Sequence, residues 1–205
     1  GRPDWCVSRQ RVWGVPLPIF INKKTKAPLR DQKVIDRIAS IYEKRGSDCW
    51  FTDDSKVFLG DDYNADDYEK LKDIVEVWFD SGSTHSFVLE KREDLKWPAD
   101  MYLEGSDQHR GWFHSSLLES CGTRGTAPFK SILSHGFVVD GKGLKMSKSM
   151  GNVISPDDIL KNYGADILRV WVASSDYAED LRIDKSILTQ HAESYRKIRN
   201  TFRFI

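Results

Sequence analysis

The sequence predicts an α/β fold with a short parallel β-sheet. Two strand-like stretches, 101–105 and 132–139, flank a helical pattern over 108–121. Strand, helix and strand in this order and at this spacing predict a right-handed βαβ crossover between parallel neighbours. A further helical pattern over 187–205 indicates a helical extension beyond the sheet.

The amino-terminal part is predicted to be extended and then helical. Residues 5–21 are mostly apolar, and Pro16 and Pro18 fix an extended backbone. A helix is predicted over 31–46, with Gly46 as its stop. Its apolar face recurs every three to four residues, at Val34, Ile35, Ile38, Ile41 and Tyr42.

Residues 52–72 are acidic and polar, with paired aspartates at 53–54, 61–62 and 66–67. Clustered carboxylates can bind a metal ion, but their spacing here is irregular. We therefore interpret this segment as a solvated insert.

The predicted strands and central helix come next along the chain. Residues 74–79 have the composition of a strand, which ends in the polar segment 80–83. The helix over 108–121 carries an apolar stripe of Trp112, Phe113, Leu117 and Leu118. Residues 132–139 are predicted to form one continuous strand.

Capping signals locate the helices that follow a polar loop at 140–152. Ser155 is the predicted N-cap, with Pro156 at the first helical position and Asp158 at the third. Gly164 closes this helix, and 165–174 form another. The last helix, 187–205, is amphipathic and carries basic residues, namely Arg196, Lys197, Arg199 and Arg203.

Composition excludes several classes of protein. The 205 residues include 31 Lys and Arg and 31 Asp and Glu, so the net charge is zero and any basic surface for a nucleic acid must be local. No run of about 18 apolar residues occurs, so we expect no membrane span. Cys6, Cys49 and Cys121 are widely spaced and odd in number. We expect no disulfide framework, no zinc or other metal site, and a cytoplasmic location.

Both ends of the chain indicate a fragment. The sequence starts without Met and stops inside a helical pattern without a Gly or Pro cap. We expect it to be part of a longer protein.

Candidate chemistry collects where parallel strands end, which is where parallel α/β sheets bind ligands. Residues 104–108 follow one predicted strand, and His135 lies on the next. A loop at 141–149 follows, with Lys142, Lys145 and Lys148 among glycines and serines. Lysines at this spacing can reach a polyphosphate as mobile point charges.

The pentapeptide at 145–149, Lys-Met-Ser-Lys-Ser, matches the second signature of the class I aminoacyl-tRNA synthetases. Segments 5–14, 78–83, 102–112 and 135–138 resemble the isoleucyl-tRNA synthetases of bacterial type. The resemblance covers nearly the whole chain, apart from about residues 45–70.

The resemblance implies how the chain would handle ATP. Lys145 and Lys148 would be catalytic and would bind the ATP phosphates. Met146, Ser147 and Ser149 complete the signature loop.

The same resemblance implies an adenylate site at the strand ends. Glu104 and Gln108 would contact isoleucyl-adenylate, Asp107 would hold the ribose, and Gly105 would let the ligand approach the backbone. The adenine would lie against His135 and the backbone of Gly136, Phe137, Val138 and Val139. Trp78 and Trp112 would form the walls of the pocket for the aliphatic side chain.

By resemblance, the fold would be the second half of a Rossmann-like nucleotide-binding domain with an inserted subdomain and a carboxyl-terminal helical extension. The implied segments are 1–21 as the return into the catalytic core, 22–72 as the inserted connective subdomain, 73–140 as the second half of the nucleotide-binding domain, 141–184 as the lysine loop and stem-contact region, and 185–205 as the start of the anticodon-binding domain.

The implied activity is ATP-dependent activation of isoleucine, with Mg²⁺ accompanying ATP, and transfer to tRNA(Ile) by a monomeric parent that is not bound to a membrane. The family's first signature, His-Ile-Gly-His, does not occur in this chain, so we expect the chain alone to be inactive. Two alternatives stay open: a valyl- or leucyl-type synthetase core, and a noncatalytic tRNA-binding module on the synthetase scaffold, which the basic helix at 187–205 would serve.

Overall fold

Residues 4–205 are described by a computed structural model; the first three residues, which open the predicted segment 1–21, lie outside the described residues. The chain forms two units. The first unit consists of the described residues up to Pro98 together with Arg110–Pro128, and the second consists of Ala99–His109 and Phe129–Ile205.

Helices occur in both units. Those of the first unit are α1 (Gln32–Arg45), α2 (Cys49–Thr52), α3 (Ser55–Leu59), α4 (Val77–Gly82) and α5 (Trp112–Arg124). Those of the second unit are α6 (Pro156–Asn162), α7 (Ala165–Ala173) and α8 (Lys185–Phe204). Short 3-10 turns occur at Ala65–Asp67, Ser106–Arg110 and Lys148–Met150, and a π-helical turn at His85–Leu89.

The strands pair two by two within the described residues. They are β1 (Ser8–Arg9), β2 (Phe20–Asn22), β3 (Tyr68–Lys70), β4 (Ile74–Val75), β5 (Ala99–Gly105), β6 (Phe129–His135), β7 (Val138–Asp140) and β8 (Leu181–Ile183). In the first unit β1 pairs with β4 and β2 with β3, both antiparallel. In the second unit β5 pairs with β6 and β7 with β8, both parallel. The predicted mixture of helices with a parallel strand pair is therefore confirmed.

The insert between β2 and β4 has a core of its own. The buried residues are Phe20, Val34, Ile38, Cys49, Trp50, Phe58 and Leu59. The interpretation of 52–72 as a solvated insert is therefore wrong at its centre, because Phe58 and Leu59 are fully buried. The acidic residues have structural uses: the Asp54 side chain accepts from the Lys56 N–H at the start of α3, and Asp62 pairs with Arg37.

The strand predicted over 74–79 ends at Val75, and α4 begins at Val77. The reason is the residue between them. The Glu76 carboxylate accepts a hydrogen bond from the Trp78 N–H at 3.0 Å, which caps the helix. The apolar run through Phe79 resembles a strand, but one local cap makes it helical.

Helix α5 confirms the helix predicted over 108–121, but with a different buried face. Phe113, Ser116 and Ser120 are buried, whereas Leu118 is 48% exposed. The small side chains of this face suit a close approach by α4. A β-carbon added at Gly82 would lie 2.2 Å from Glu119 Oε1 and 3.0 Å from the Ser115 backbone, so a larger residue there would have to displace the Glu119 side chain.

The continuous strand predicted over 132–139 is wrong: it consists of β6 and β7, which belong to different sheets. Gly136 lies at the break and its N–H donates to the Tyr177 carbonyl at 2.9 Å. A β-carbon at Gly136 would come within 2.3 Å of the Glu179 carbonyl oxygen. Contact with a segment 40 residues later therefore ends the strand, and sequence periodicity carries no signal of it.

The helices of the second unit follow the predicted signals. The Ser155 side chain caps α6, with Pro156 in the first turn, and α7 and α8 match the patterns at 165–174 and 187–205. The unit's core consists of Ile159, Ile167, Trp171, Ile183 and Leu188. Among residues 4–205 no helix is long and apolar enough to cross a membrane.

Candidate active site

The parallel pair β5–β6 brings two of the expected segments together. In its register Gly105 lies opposite His135 and Glu104 opposite Ser134. Because the strands are parallel, segments 104–108 and 135–139 leave the sheet at the same edge. Glu104 and Asp107 are exposed there, and Gln108 is half-buried.

Gly105 stands in the middle of this edge. A β-carbon at this position would lie 2.8 Å from Asp107 Oδ1, 3.4 Å from the Phe137 ring and 3.8 Å from the His135 ring. The Gln108 amide donates to Asp107 Oδ2 at 3.2 Å. Glycine thus leaves a small space that a carboxylate and two rings surround.

The backbone after β6 is already bonded on one side. The N–H groups of Gly136 and Phe137 donate to the Tyr177 carbonyl at 2.9 Å and to Asp180 Oδ1 at 2.8 Å. The Phe137 carbonyl accepts from the Leu181 N–H at 2.7 Å. Successive residues of a strand point their backbone groups to opposite sides, so Val138 directs its N–H and C=O to the edge away from β8.

The imidazole of His135 is fixed by its own backbone. Its Nδ1 lies 2.7 Å from the Gly136 carbonyl, a contact in which Nδ1–H donates. The half-buried His135 therefore presents a defined edge at the end of β6.

The lysine loop folds back along β7. Val139 lies opposite Lys145 in an antiparallel bridge, and the Asp140 N–H donates to the Leu144 carbonyl at 2.9 Å. Met146 packs against the core of the second unit. The Ser147 hydroxyl accepts from the Met150 N–H at 3.3 Å and lies 3.2 Å from the Ser149 hydroxyl.

The residues of the pentapeptide thus have two structural roles. Met146 and Ser147 fix the loop, while Lys145 and Lys148 are exposed. Within residues 4–205, neither of these two lysines nor Lys142 forms an ion pair. Their charges are therefore available to a bound anion.

The first unit contains a cavity of ≈ 400 Å³. Its lining includes Trp5, Cys6, Arg9, Trp78 and His114. Buried Glu76 holds one wall, since its carboxylate accepts from the Trp78 N–H and its Oε1 lies 3.8 Å from Arg9 Nη2.

Trp112, expected beside Trp78, is absent from the lining of this cavity. Its indole N–H donates instead to the Ser81 carbonyl at 2.9 Å. Trp5 lies where a second aromatic wall was expected. In the sequence, Trp5 is marked only as the first residue of segment 5–14. Its position beside Trp78 follows from the fold.

A second cavity of the first unit, ≈ 450 Å³, contains buried polar atoms. His85 Nε2 and Glu119 Oε1 have no hydrogen-bond partner among residues 4–205. Burial, with a smaller effect from the charge of Asp80, raises the pKa of Glu119 to about 7. In the same part of the chain no three His, Cys, Asp or Glu side chains lie together as a metal site requires.

A family model described as tRNA synthetases class I (I, L, M and V) matches residues 1–184. The chain therefore belongs to the class I tRNA synthetases. It is similar to the isoleucine–tRNA ligase of Pelagibacter ubique strain HTCC1062, with 80% identity over 100% of this chain and 22% of that protein. It is 58% identical to the isoleucine–tRNA ligase of Caldicellulosiruptor saccharolyticus, over 100% of this chain and 23% of that protein.

These coverages mean that the chain spans about a fifth of the length of the curated relatives it matches. Among solved structures, a LeuRS from Agrobacterium radiobacter K84 in a ternary complex with tRNA and LeuAMS is similar, with a TM-score of 0.69. The identity is 20% over 97% of this chain and 28% of that chain, so the likeness concerns the fold alone.

Proposed function

We propose that this chain is the segment of an isoleucine–tRNA ligase that contributes the second half of the nucleotide-binding core. The whole ligase would activate isoleucine with ATP and transfer it to tRNA(Ile). The observation that carries this proposal is the lysine loop, held by Met146 and Ser147 with Lys145 and Lys148 exposed beside β7. Identity of 80% to an isoleucine–tRNA ligase supports the choice of amino acid.

Lys145 and Lys148 would bind the phosphates of ATP, which would enter with its Mg²⁺. The carboxylate of isoleucine attacks the α-phosphate, the bond to the β-phosphate oxygen breaks, and pyrophosphate leaves. Negative charge gathers on the transferred group and the leaving group. Cationic side chains and fixed geometry therefore matter more than proton transfer.

The adenylate would lie across the carboxyl edge of β5 and β6. Asp107 would hold the ribose, Glu104 and Gln108 would contact the adenylate, and Gly105 leaves room for it. The ring of His135 would border the adenine.

Among the backbone groups after β6, that of Val138 would contact the adenine. The N–H groups of Gly136 and Phe137 already have partners on the opposite side. Val138 points its N–H to the edge away from β8, before the point at which the lysine loop returns along that edge, and this N–H suits an acceptor nitrogen of a purine. Val139 would contribute packing, since its side chain is buried.

The cavity between Trp5 and Trp78 is the candidate pocket for the isoleucine side chain. Flat apolar walls suit an aliphatic ligand without a polar group. Trp112 would then support the pocket through its bond to the Ser81 carbonyl rather than form a wall.

The segment boundaries belong to this proposal. Residues 22–72 would be the inserted connective subdomain, for which the separate core of Phe58 and Leu59 provides support. Segment 141–184 would include the stem-contact region, and 185–205 would start the helical domain that reads tRNA(Ile). The basic residues of α8 are exposed and would face tRNA phosphates.

Amino-acid-dependent ATP–pyrophosphate exchange by the whole protein tests this function. We expect exchange with isoleucine to exceed that with valine or leucine. Preference for valine or leucine would instead support those relatives, and the absence of exchange with all three would support a noncatalytic tRNA-binding module.

A further inference from the structure

Asp140, the last residue of β7, binds the beginning of the lysine loop. Its Oδ1 accepts from the N–H groups of Lys142 at 2.9 Å and Leu144 at 2.8 Å. Its Oδ2 accepts from the Asn152 side-chain amide at 2.8 Å. Both carboxylate oxygens therefore accept hydrogen bonds. These bonds lower the pKa of Asp140, and the bond from Asn152 has the largest effect.

Asn152 binds the other end of the loop. Its Oδ1 accepts from the Ser147 N–H at 2.9 Å, and its Nδ2 donates to the Lys145 carbonyl at 3.2 Å as well as to Asp140. The two side chains together hold four backbone groups, those of residues 142, 144, 145 and 147. These positions bracket Lys145 and come directly before Lys148.

The start of the loop is confined from another side. A β-carbon at Gly141 would lie 2.3 Å from Asp184 Oδ2. Asp184 caps α8, accepting from the Ile187 N–H at 2.8 Å. The loop therefore leaves β7 against a fixed helix end, and the Asp140–Asn152 pair determines its course from there.

We infer that Asp140 and Asn152 are positioning residues that hold the loop backbone where Lys145 and Lys148 can reach the phosphates of ATP; this rests on the proposed function. Among residues 4–205, neither side chain bonds to a lysine ammonium group, so both act through the backbone. The pair has a polarity: position 140 must accept and position 152 must donate.

That polarity can be exchanged. Asp140→Asn places an amide donor against the donor of Asn152, and Asn152→Asp places two carboxylates against each other. In the double variant Asp140→Asn/Asn152→Asp, the amide at 140 can donate to the carboxylate at 152. That carboxylate still accepts from Ser147, but the bond to the Lys145 carbonyl is lost and an oxygen takes the place of its donor.

The test is isoleucine-dependent ATP–pyrophosphate exchange in the whole ligase at varied ATP and isoleucine. We expect each single variant to lower kcat/KM for ATP by about 30-fold or more and to change KM for isoleucine by less than about twofold. The double variant should recover about tenfold over the poorer single variant. Asn162→Asp, which adds the same charge to the exposed face of α6, should stay within about twofold of wild type.

Trypsin cleavage after Lys145 and Lys148, followed by mass spectrometry, gives a readout that does not need activity. Cleavage should be faster in both single variants and slow again in the double variant. Wild-type cleavage rates and exchange in the single variants, or a double variant no better than the poorer single one, would overturn the inference. Absence of exchange in the wild type would refute the proposed function, while the cleavage rates would still decide whether the pair holds the loop.

Discussion

Glu119 shows how the fold changes the chemistry of one side chain. It lies on α5 with Oε1 buried and close to Gly82 of α4. Burial is the larger cause and the negative charge of Asp80 the smaller cause of a pKa near 7. The folded chain therefore binds a proton at Glu119 more tightly than the unfolded chain, whose pKa is the ordinary 4.5.

The pH dependence of stability follows from that difference. The favourable contribution of protonated Glu119 is complete below the unfolded pKa and is lost as the pH rises through about 7. We expect Glu119→Gln to raise the free energy of unfolding at about pH 8 by on the order of 1 kcal/mol, allowing for solvent screening, and to change it little at about pH 4.

Urea unfolding of the chain at both pH values measures this effect. Glu93→Gln, at an exposed position of the same unit, is the matched control. An equal change at both pH values in Glu119→Gln would contradict the assignment.

At the scale of elements, local signals were predictable and long-range ones were not. Ser155 and Gly46 mark helix ends by their own chemistry, and the structure confirms both. The cap by Glu76 is equally local, but the strand-like run of Val77, Trp78 and Phe79 hid it. The break at Gly136 depends on a carbonyl of Glu179, which no pattern around residue 136 reports.

The insert core gives an element-scale prediction. Phe58 is fully buried between α1 and the Trp50 ring, with ring centroids 5.1 Å apart. Phe58→Ala should lower the free energy of unfolding of the chain by about 3–5 kcal/mol through lost burial and a cavity.

Val57→Ala is the control, since Val57 is exposed on the same helix and should change stability by less than about 0.5 kcal/mol. Urea unfolding distinguishes the two. Equal, small effects of both variants would mean that 52–72 is the solvated segment that its composition predicts.

At the scale of the whole molecule, the candidate site was predictable where strand order determines position. Segments 104–108 and 135–139 meet because β5 and β6 are parallel neighbours. The Asp140–Asn152 pair was not predictable, since nothing in the spacing of the two residues specifies their hydrogen bonds. Trp5 likewise joins Trp78 only through the fold of the first unit.

The chain spans about a fifth of the length of the relatives it matches, so the proposed activity is that of the whole protein. Met101 and Leu103 on β5 are 48% and 55% exposed. Parallel strands are normally covered on both faces, so these side chains are expected to be covered in the whole ligase.

The effect of Lys148→Ala on isoleucine-dependent ATP–pyrophosphate exchange in the whole ligase tests whether the lysine loop binds the phosphates of ATP. Lys161→Ala, an exposed lysine of α6 outside the loop, is the control. We expect Lys148→Ala to slow exchange by about 100-fold or more, because a cation facing the transferred phosphate is lost, and Lys161→Ala to leave it near wild type. Exchange near wild type in Lys148→Ala would contradict a role of the lysine loop in ATP binding.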